Sequence, residues 1–314
     1  MTAVDVVIVT RNRPDQVEAC VRSVLASTAT DFSILVSDQS DDSDTRSIVD
    51  ALGKDDPRVR YLATPTRGSS RSRNAAIAVT DAPLVLFTDD DVRVAADWVE
   101  RMVEEFDRTP DAAAVFGRLG ATDEGAPADA ARAAWFGVAQ THAEERRVFV
   151  DDPTDLGFGH GANMGFRRTA LEAVGGFDPL LGVGGELRSW PERDIGYRLL
   201  VAGWSIVFQP DVRALHHQWR TWDEVFAQHR NYAFGAGAAC RKYMACGQPS
   251  ARRLLASWMA QLGVRQIVSG LLRWRDFRKV RLGGIAIGWA FRGLIASRRY
   301  DIDHETVRYR DPFD

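Results

Sequence analysis

The segment Leu84-Val85-Leu86-Phe87-Thr88-Asp89-Asp90-Asp91 runs from an apolar stretch short enough to be one strand straight into three carboxylates. Asp is depleted in strands and rarely buried, so the run predicts a strand whose carboxyl end emerges at a sheet rim, where open α/β sheets bind ligands. Acids one residue apart, Asp89 and Asp91, can present oxygens to one hard divalent cation, and such a cation commonly brings phosphates with it. The competing reading is a helix cap, with Asp90 or Asp91 preceding a helix that starts near Asp97-Trp98.

The elements that must position these acids follow from periodicity. Residues 1–120 alternate strand-like and helix-like segments, as a parallel sheet with crossover helices does. Strands are expected at Val4 to Thr10, Phe32 to Ser37, Val59 to Ala63 and Leu84 onward. Helices are expected around Val17 to Leu25, around Ile48 to Leu52 and from Gly68 to Ile77. Each strand ends in polar residues, which predicts one nucleotide-binding rim built from Thr10, Asp38, the Gly68 region and Asp89 to Asp91. A helix near Trp98 to Arg108 and a strand near Ala113 to Gly117 follow, then an Ala-, Asp- and Gly-rich loop or short helix over Gly120 to Ala133. A second half covers 121–245, with a helix from Arg168 to Val174 and another holding Glu192 to Leu200; a helical extension covers 246–314.

Composition bounds the rest. The 314 residues are 45% hydrophobic and 26% charged, enough to bury a core in one large domain or two smaller ones. A net charge of -3 exerts no overall pull on nucleic acid, so no nucleic-acid partner is expected. Three cysteines with no CxxC pair favour neither a disulfide framework nor zinc, which fits a cytoplasmic setting. No stretch approaches the ~18 uninterrupted apolar residues of a spanning helix.

Several further motifs stand in order with the acidic run. Val7-Ile8-Val9-Thr10-Arg11-Asn12-Arg13 and Val36-Ser37-Asp38-Gln39-Ser40 close the first two strands, and Gly68-Ser69-Ser70-Arg71-Ser72-Arg73-Asn74 precedes the aspartates. Gly161-Ala162-Asn163-Met164-Gly165-Phe166-Arg167-Arg168, Val174-Gly175-Gly176-Phe177-Asp178, Glu192-Arg193-Asp194 and the Pro210 to His216 strand follow. Over residues 4–245 the chain resembles the inverting, non-processive glycosyltransferases of family 2, with the GT-A fold. That resemblance implies a Rossmann-like mixed α/β sheet flanked by helices. It implies a nucleotide-sugar donor, a uracil-like base accepted by Asp38, and UDP favoured over guanine and thymine nucleotides. Thr10, Arg11, Gly68, Arg73, Asn74, Asp89 and Asp90 would surround the donor, with Arg73 and Asn74 facing diphosphate and ribose. Asp91, helped by Asp89, would hold Mn²⁺ or Mg²⁺, with His216 as a further contact and His217 as its substitute.

The catalytic base is where the chain departs from the family. Members of the family usually carry Glu-Asp followed two residues later by Asp, whereas this chain reads Pro191-Glu192-Arg193-Asp194. Glu192 then stands in the base position, with Asp194 as rival and Glu186 as a third carboxylate. The bland reading is that Pro191, Glu192 and Asp194 merely suit a helix N-terminus. Asn163, Glu186 and Trp190 are expected to wall the sugar and acceptor.

From Arg252 to Arg299 eleven cations, among them Arg265, Arg273, Arg275, Arg278 and Lys279, interleave with apolar residues such as Leu262, Leu272 and Trp274. Such a stretch reads either as a basic amphipathic surface for anionic membrane, peripheral on the inner face of the cell membrane, or as helices packed on the catalytic domain. Saccharide, lipid-linked and small-molecule acceptors all remain open. Two other readings compete: a sugar-nucleotide nucleotidyltransferase, disfavoured because Thr10-Arg11-Asn12-Arg13-Pro14 has no glycine, and an inactive membrane-peripheral scaffold of the same fold.

Overall fold

The computed structural model describes residues 4–122, 140–217 and 220–313; the part of the Gly120 to Ala133 stretch beyond Thr122 lies outside them. Four strands, β1 (Val4–Thr10), β2 (Phe32–Asp38), β3 (Val59–Ala63) and β4 (Leu84–Asp89), lie parallel in the order β3-β2-β1-β4. Their registers place Thr10 opposite Asp38 and Val9 opposite Asp89, so three carboxyl ends reach one rim. Helices α1 (Pro14–Leu25), α2 (Asp44–Asp55) and α3 (Ser69–Ala78) make the crossovers. Val17, Cys20, Val21 and Val24 give α1 a wholly buried face at helical spacing.

Beyond β4 the sheet becomes mixed. It continues through β8 (Asn163–Arg167), β6 (Ala112–Thr122), β9 (Ser205–His217) and β5 (Val92–Val94), with β7 (Arg147–Phe149) added along β9. Asp90 and Asp91 are therefore the residues at which the chain leaves β4 for β5. They do not cap a helix: α4 (Trp98–Arg108) begins after Asp97. The three-residue strands β5 and β7 are too short to carry a periodic signal. β5 nevertheless sets the site, because it pairs antiparallel with β9 and brings Val92 opposite His216.

Reaching that register requires an irregularity in β9. Its parallel pairing with β6 shifts between Gly117 and Arg118, looping out Pro210 to Val212. A Cβ on Gly117 would lie 2.3 Å from the Val212 carbonyl oxygen, so only glycine fits. The Asn163 amide donates to the Arg118 and Val212 carbonyls at 3.0 Å each and accepts from Trp98 Nε1 at 2.8 Å. Asn163 is fully buried and fastens this bulge, so the expectation of an acceptor-wall residue is corrected: it holds β9 rather than meeting ligand.

A second buried device joins the helices. Asp194, in helix Pro191–Val201, accepts from Arg198 at 2.9 Å, from Lys242 at 2.7 Å and from the Tyr243 hydroxyl at 2.8 Å. Lys242 also donates to Asp178, whose carboxylate accepts the Tyr309 backbone N–H at 2.8 Å. Asp194 is fully buried with its oxygens engaged, so its candidacy as catalytic base is corrected to a structural role. Burial alone would raise its pKa, but Lys242 and Arg198 outweigh it and hold the carboxyl below the ordinary range.

The carboxyl-terminal stretch packs as helices on the rest of the protein, one of the two arrangements expected of it. Helices Trp222–Ala245 and Phe277–Ala296 meet backbone to backbone: a Cβ on Gly237 would come within 1.9 Å of the Ala290 carbonyl oxygen. Between them one helical run, from Ala251 to Trp274 with π-helical turns at Met259–Val264 and Gly270–Trp274, folds back on helix Phe277–Ala296 to form a hairpin. Its tip is not packed: Leu272 and Phe277 are 80% and 79% exposed. No helix among the described residues is long and apolar enough to cross a membrane.

The Asp194 network carries a pH signature. An aspartate held below its unfolded value of about 3.9 contributes stability that is complete above that value and is lost as pH falls through the lower native one. Asp194→Asn should cost about 3–5 kcal/mol at neutral pH, since it leaves buried cations short of a counter-charge. It should also flatten the loss of stability below about pH 4. Denaturant melts of both proteins across that range check the expectation.

Candidate donor and acceptor site

The sheet rim opens into a cavity of about 660 Å³. On the sheet side it is lined by Thr10, Arg11, Arg13 and Asp89 to Asp91, and by Gly68 and Arg73 from the start of α3. His216, Trp190 and Glu192 close the other side. The sequence argument singled out every one of these except Arg13.

Three adjacent carboxylates repel one another, and the surrounding groups offset that. Thr10 donates to Asp90 at 2.7 Å; Arg13 Nη1 reaches Asp90 at 3.2 Å and Asp91 at 3.3 Å. Arg73 Nη2 donates to Asp89 at 3.0 Å, and His216 Nε2 stands 3.1 Å from Asp91. Burial, and then the neighbouring Asp91 charge, push the Asp90 pKa above the ordinary carboxylate range. Asp91 goes the opposite way, the His216 and Arg13 charges outweighing its burial. His216 is raised in turn: burial opposes its charged form, but Asp91 prevails.

Glu192 reaches the cavity through strained backbone. Arg188 and Trp190 are both left-handed, with φ of 73° and 87°, just ahead of Pro191 at the helix start. Such residues persist where packing over-determines them, and they cluster at functional sites. A Cβ built on Gly161 would lie 3.6 Å from Glu192 Oε2 and 3.7 Å from Arg73 Nη2. That glycine therefore sits between the glutamate and the Arg73–Asp89 pair.

The cavity also collects unpaired polar atoms. Arg11 Nε, Ser69 Oγ, Arg73 Nε, Trp190 Nε1, His216 Nδ1 and Trp258 Nε1 are buried without a hydrogen-bond partner, and all six residues line it. Buried donors are expensive to leave unmade, so their convergence marks a place where a polar ligand completes the structure.

Three expected residues stand elsewhere. Asp38 is buried behind the rim, one oxygen accepting from Ser40 and the other from the Tyr61 hydroxyl at 3.0 Å, and Gln39 lines the cavity instead. Asn74 exchanges two hydrogen bonds with the Phe177 backbone, at 2.8 and 2.9 Å, tying α3 to the Gly175-Gly176 turn rather than facing ligand. Glu186 pairs with Arg71 at 3.1 Å beside a second, smaller cavity, so it is neither base nor acceptor wall. Periodicity could not find Arg13 or the far wall of the cavity, Gln228, His229, Tyr232, Trp258, Leu262, Leu282 and Ala286, because those residues come from helices distant in sequence.

Among the described residues no three of His, Cys, Asp and Glu converge into a self-sufficient metal site. Asp91 and His216 do converge, which suits a cation whose coordination is completed by ligand phosphates rather than an all-protein cage.

Comparison with known proteins bears on the fold and the family. A mannosyltransferase from Pyrobaculum calidifontis, solved in complex with GDP-Man and Mn²⁺, superposes over 95% of this chain and 88% of its own with a TM-score of 0.62 and 17% identity, which shows a shared GT-A fold. A glucosyl-dolichyl phosphate glucuronosyltransferase of Haloferax volcanii is 27% identical over 169 residues, 53% of this chain and 52% of the relative. A GalNAc(5)-diNAcBac-PP-undecaprenol beta-1,3-glucosyltransferase of Campylobacter jejuni is 31% identical over 93 residues, 29% of this chain and 30% of the relative. The chain thus spans about half or less of the length of these curated relatives. The family model for glycosyl transferase family 2 matches residues 5–175, more than half of the sequence and every rim element described above, and the chain belongs to that family.

Proposed function

We propose that the protein is a metal-dependent, inverting glycosyltransferase that moves a sugar from a nucleoside diphosphate to an acceptor hydroxyl. The observation that carries this reading is the set of unpaired buried donors gathered around Asp89 to Asp91. Arg73, Ser69 and the start of α3 supply N–H and O–H groups suited to diphosphate oxygens. Asp91 and His216 would hold Mn²⁺ or Mg²⁺, which would supply positive charge against the departing diphosphate. Arg13 holds Asp90 and Asp91 side by side. Uridine is the favoured base, with Gln39 in the place first expected of Asp38: its Nε2 donates to the Thr66 and Gly68 carbonyls, which turns its Oε1 toward the role of imide acceptor.

Glu192 is the general base. It faces the Arg73–Asp89 pair across Gly161, so an acceptor hydroxyl held there loses its proton to Glu192 while attacking the anomeric carbon from the side opposite the diphosphate. Backside attack inverts the anomeric configuration. The named relatives act on dolichyl phosphate and undecaprenol-linked substrates, and the solved neighbour holds GDP-Man with Mn²⁺. These support a nucleotide-sugar donor and a divalent cation here, with a saccharide, lipid-linked or small-molecule acceptor. The exposed hairpin tip, flanked by Arg273, Arg275 and Arg278, supports a peripheral contact with anionic membrane.

Three outcomes follow. UDP with Mn²⁺ should raise the melting temperature of the purified protein, and Asp91→Ala should abolish that shift while remaining folded; no stabilisation by any nucleoside diphosphate would return the reading to a binding scaffold. Glu192→Gln should lower kcat by about 10²–10⁴-fold, the usual contribution of a general base, with UDP binding unchanged. Co-sedimentation with phosphatidylglycerol vesicles should weaken with salt and fall sharply in the double variant Leu272→Glu/Phe277→Glu, whereas binding to neutral phosphatidylcholine should stay low throughout.

A further inference from the structure

The cavity does not end at the acids. Beyond Trp190 and Glu192 the same space is walled by Trp258 and Leu262 from the helical hairpin and by Leu282 and Ala286 from helix Phe277–Ala296. Against the carboxylates and guanidinium groups of the sheet rim, this end is lined by the indole pair and then by Leu262, Leu282 and Ala286, with Gln266 among them. Trp190 and Trp258 meet edge to face with ring centroids 4.8 Å apart, and both indole Nε1 atoms are buried without partners. Trp190 is only 4% exposed, so its N–H has no recourse to bulk water. The Arg193 guanidinium lies 5.6 Å from the Trp190 ring centre.

The apolar end borders, through Leu262, the part of the surface least suited to water. Leu262, 39% exposed, belongs both to the cavity wall and to the hairpin whose Leu271, Leu272 and Trp274 are 50%, 80% and 56% exposed. Apolar side chains standing out this far, in a row and flanked by arginines, are the pattern of a segment that enters the headgroup boundary of a bilayer. The two π-helical turns lie within this hairpin, at Met259–Val264 and Gly270–Trp274, and such turns are frequent at functional sites.

We infer that this passage is an acceptor port for a membrane lipid. The lipid's phosphate-bearing head meets the paired indole N–H groups of Trp190 and Trp258, and its aliphatic chain passes between Leu262 and the Leu282–Ala286 face to the bilayer at the hairpin tip. A soluble sugar acceptor has no use for an aliphatic exit, whereas an amphiphile matches both ends of the gradient. The port rests on the reading of the acidic end as the donor site, because it is the acceptor hydroxyl on such a head group that Glu192 would meet.

The test uses the full chain and a diazirine-bearing farnesyl phosphate in phosphatidylglycerol vesicles, with photolabelled peptides mapped by mass spectrometry. Labelling is expected on the peptides containing Trp258, Leu262 and Leu282–Ala286, displaced by unlabelled farnesyl phosphate and not by inorganic phosphate. Ala286→Trp, which plugs the passage, should cut that labelling by at least about tenfold. Leu262→Arg, at an exposed position that tolerates the change in folding, should do the same. Both variants should keep the melting shift with UDP and Mn²⁺. Labelling confined to Leu271–Phe277, or unchanged in both variants, would overturn the port and leave only a membrane contact. The two readings fail separately: loss of the UDP shift in the unmodified protein with port labelling intact would sink the donor site alone, and an intact shift without port labelling would sink the port alone.

Discussion

Three consecutive carboxylates held at the end of one strand are the constraint around which the protein is arranged. Left to themselves, Asp89, Asp90 and Asp91 would repel one another and seek water, yet Asp90 and Asp91 are buried. Each finds a counter-group, with Arg13 shared between two: Arg73 for Asp89, Thr10 and Arg13 for Asp90, and His216 with Arg13 for Asp91. Those groups come from β1, the start of α1, α3 and the far end of β9. The acids can be adjacent in sequence only because four elements distant in sequence converge on them. The opposite displacements of Asp90 and Asp91 in proton affinity express the same competition between burial, repulsion and pairing.

Two buried devices make that convergence rigid. The bulge at Pro210 to Val212, accommodated by Gly117 and fastened by Asn163, sets the register that carries His216 to Asp91. The Asp194–Lys242–Asp178 network joins helix Pro191–Val201 to helix Trp222–Ala245 and to the Tyr309 backbone, fixing the helix from whose first turn Glu192 projects. Neither device touches the cavity, and both use residues whose chemistry invites a catalytic reading. A buried carboxylate whose oxygens are already engaged does scaffolding work, whereas a half-exposed one beside unpaired donors is available for chemistry.

Much of this was legible in the sequence. Strands Val4–Thr10 and Val59–Ala63 and helix Trp98–Arg108 match their expected limits, because buried strands and amphipathic helices write their periods directly into the chain. The rim at Thr10, the Gly68 region and Asp89 to Asp91 is legible because strand ends in such a sheet share one side, whereas Arg73 is implied only by the family resemblance. What the sequence could not convey was orientation. Asp38, Asn74, Asn163 and Asp194 all sit in the expected motifs, but their side chains turn to backbone or buried partners, and only the packing decides that. Nor could periodicity show that Trp258 and Leu282, each on an amphipathic helix, share a cavity with aspartates more than 160 residues earlier in the chain.

On the proposed function, Asp91 and His216 form the protein's half of a cation site completed by a nucleoside diphosphate. A crystal structure of the protein grown with UDP and Mn²⁺ tests it most directly. The account predicts an ion within about 2.3 Å of both Asp91 and His216, bridged to the diphosphate, with Arg73 donating to phosphate oxygen. An ion bound away from the Asp91–His216 pair, or UDP seated without contact to the Asp89–Asp91 run, would contradict it.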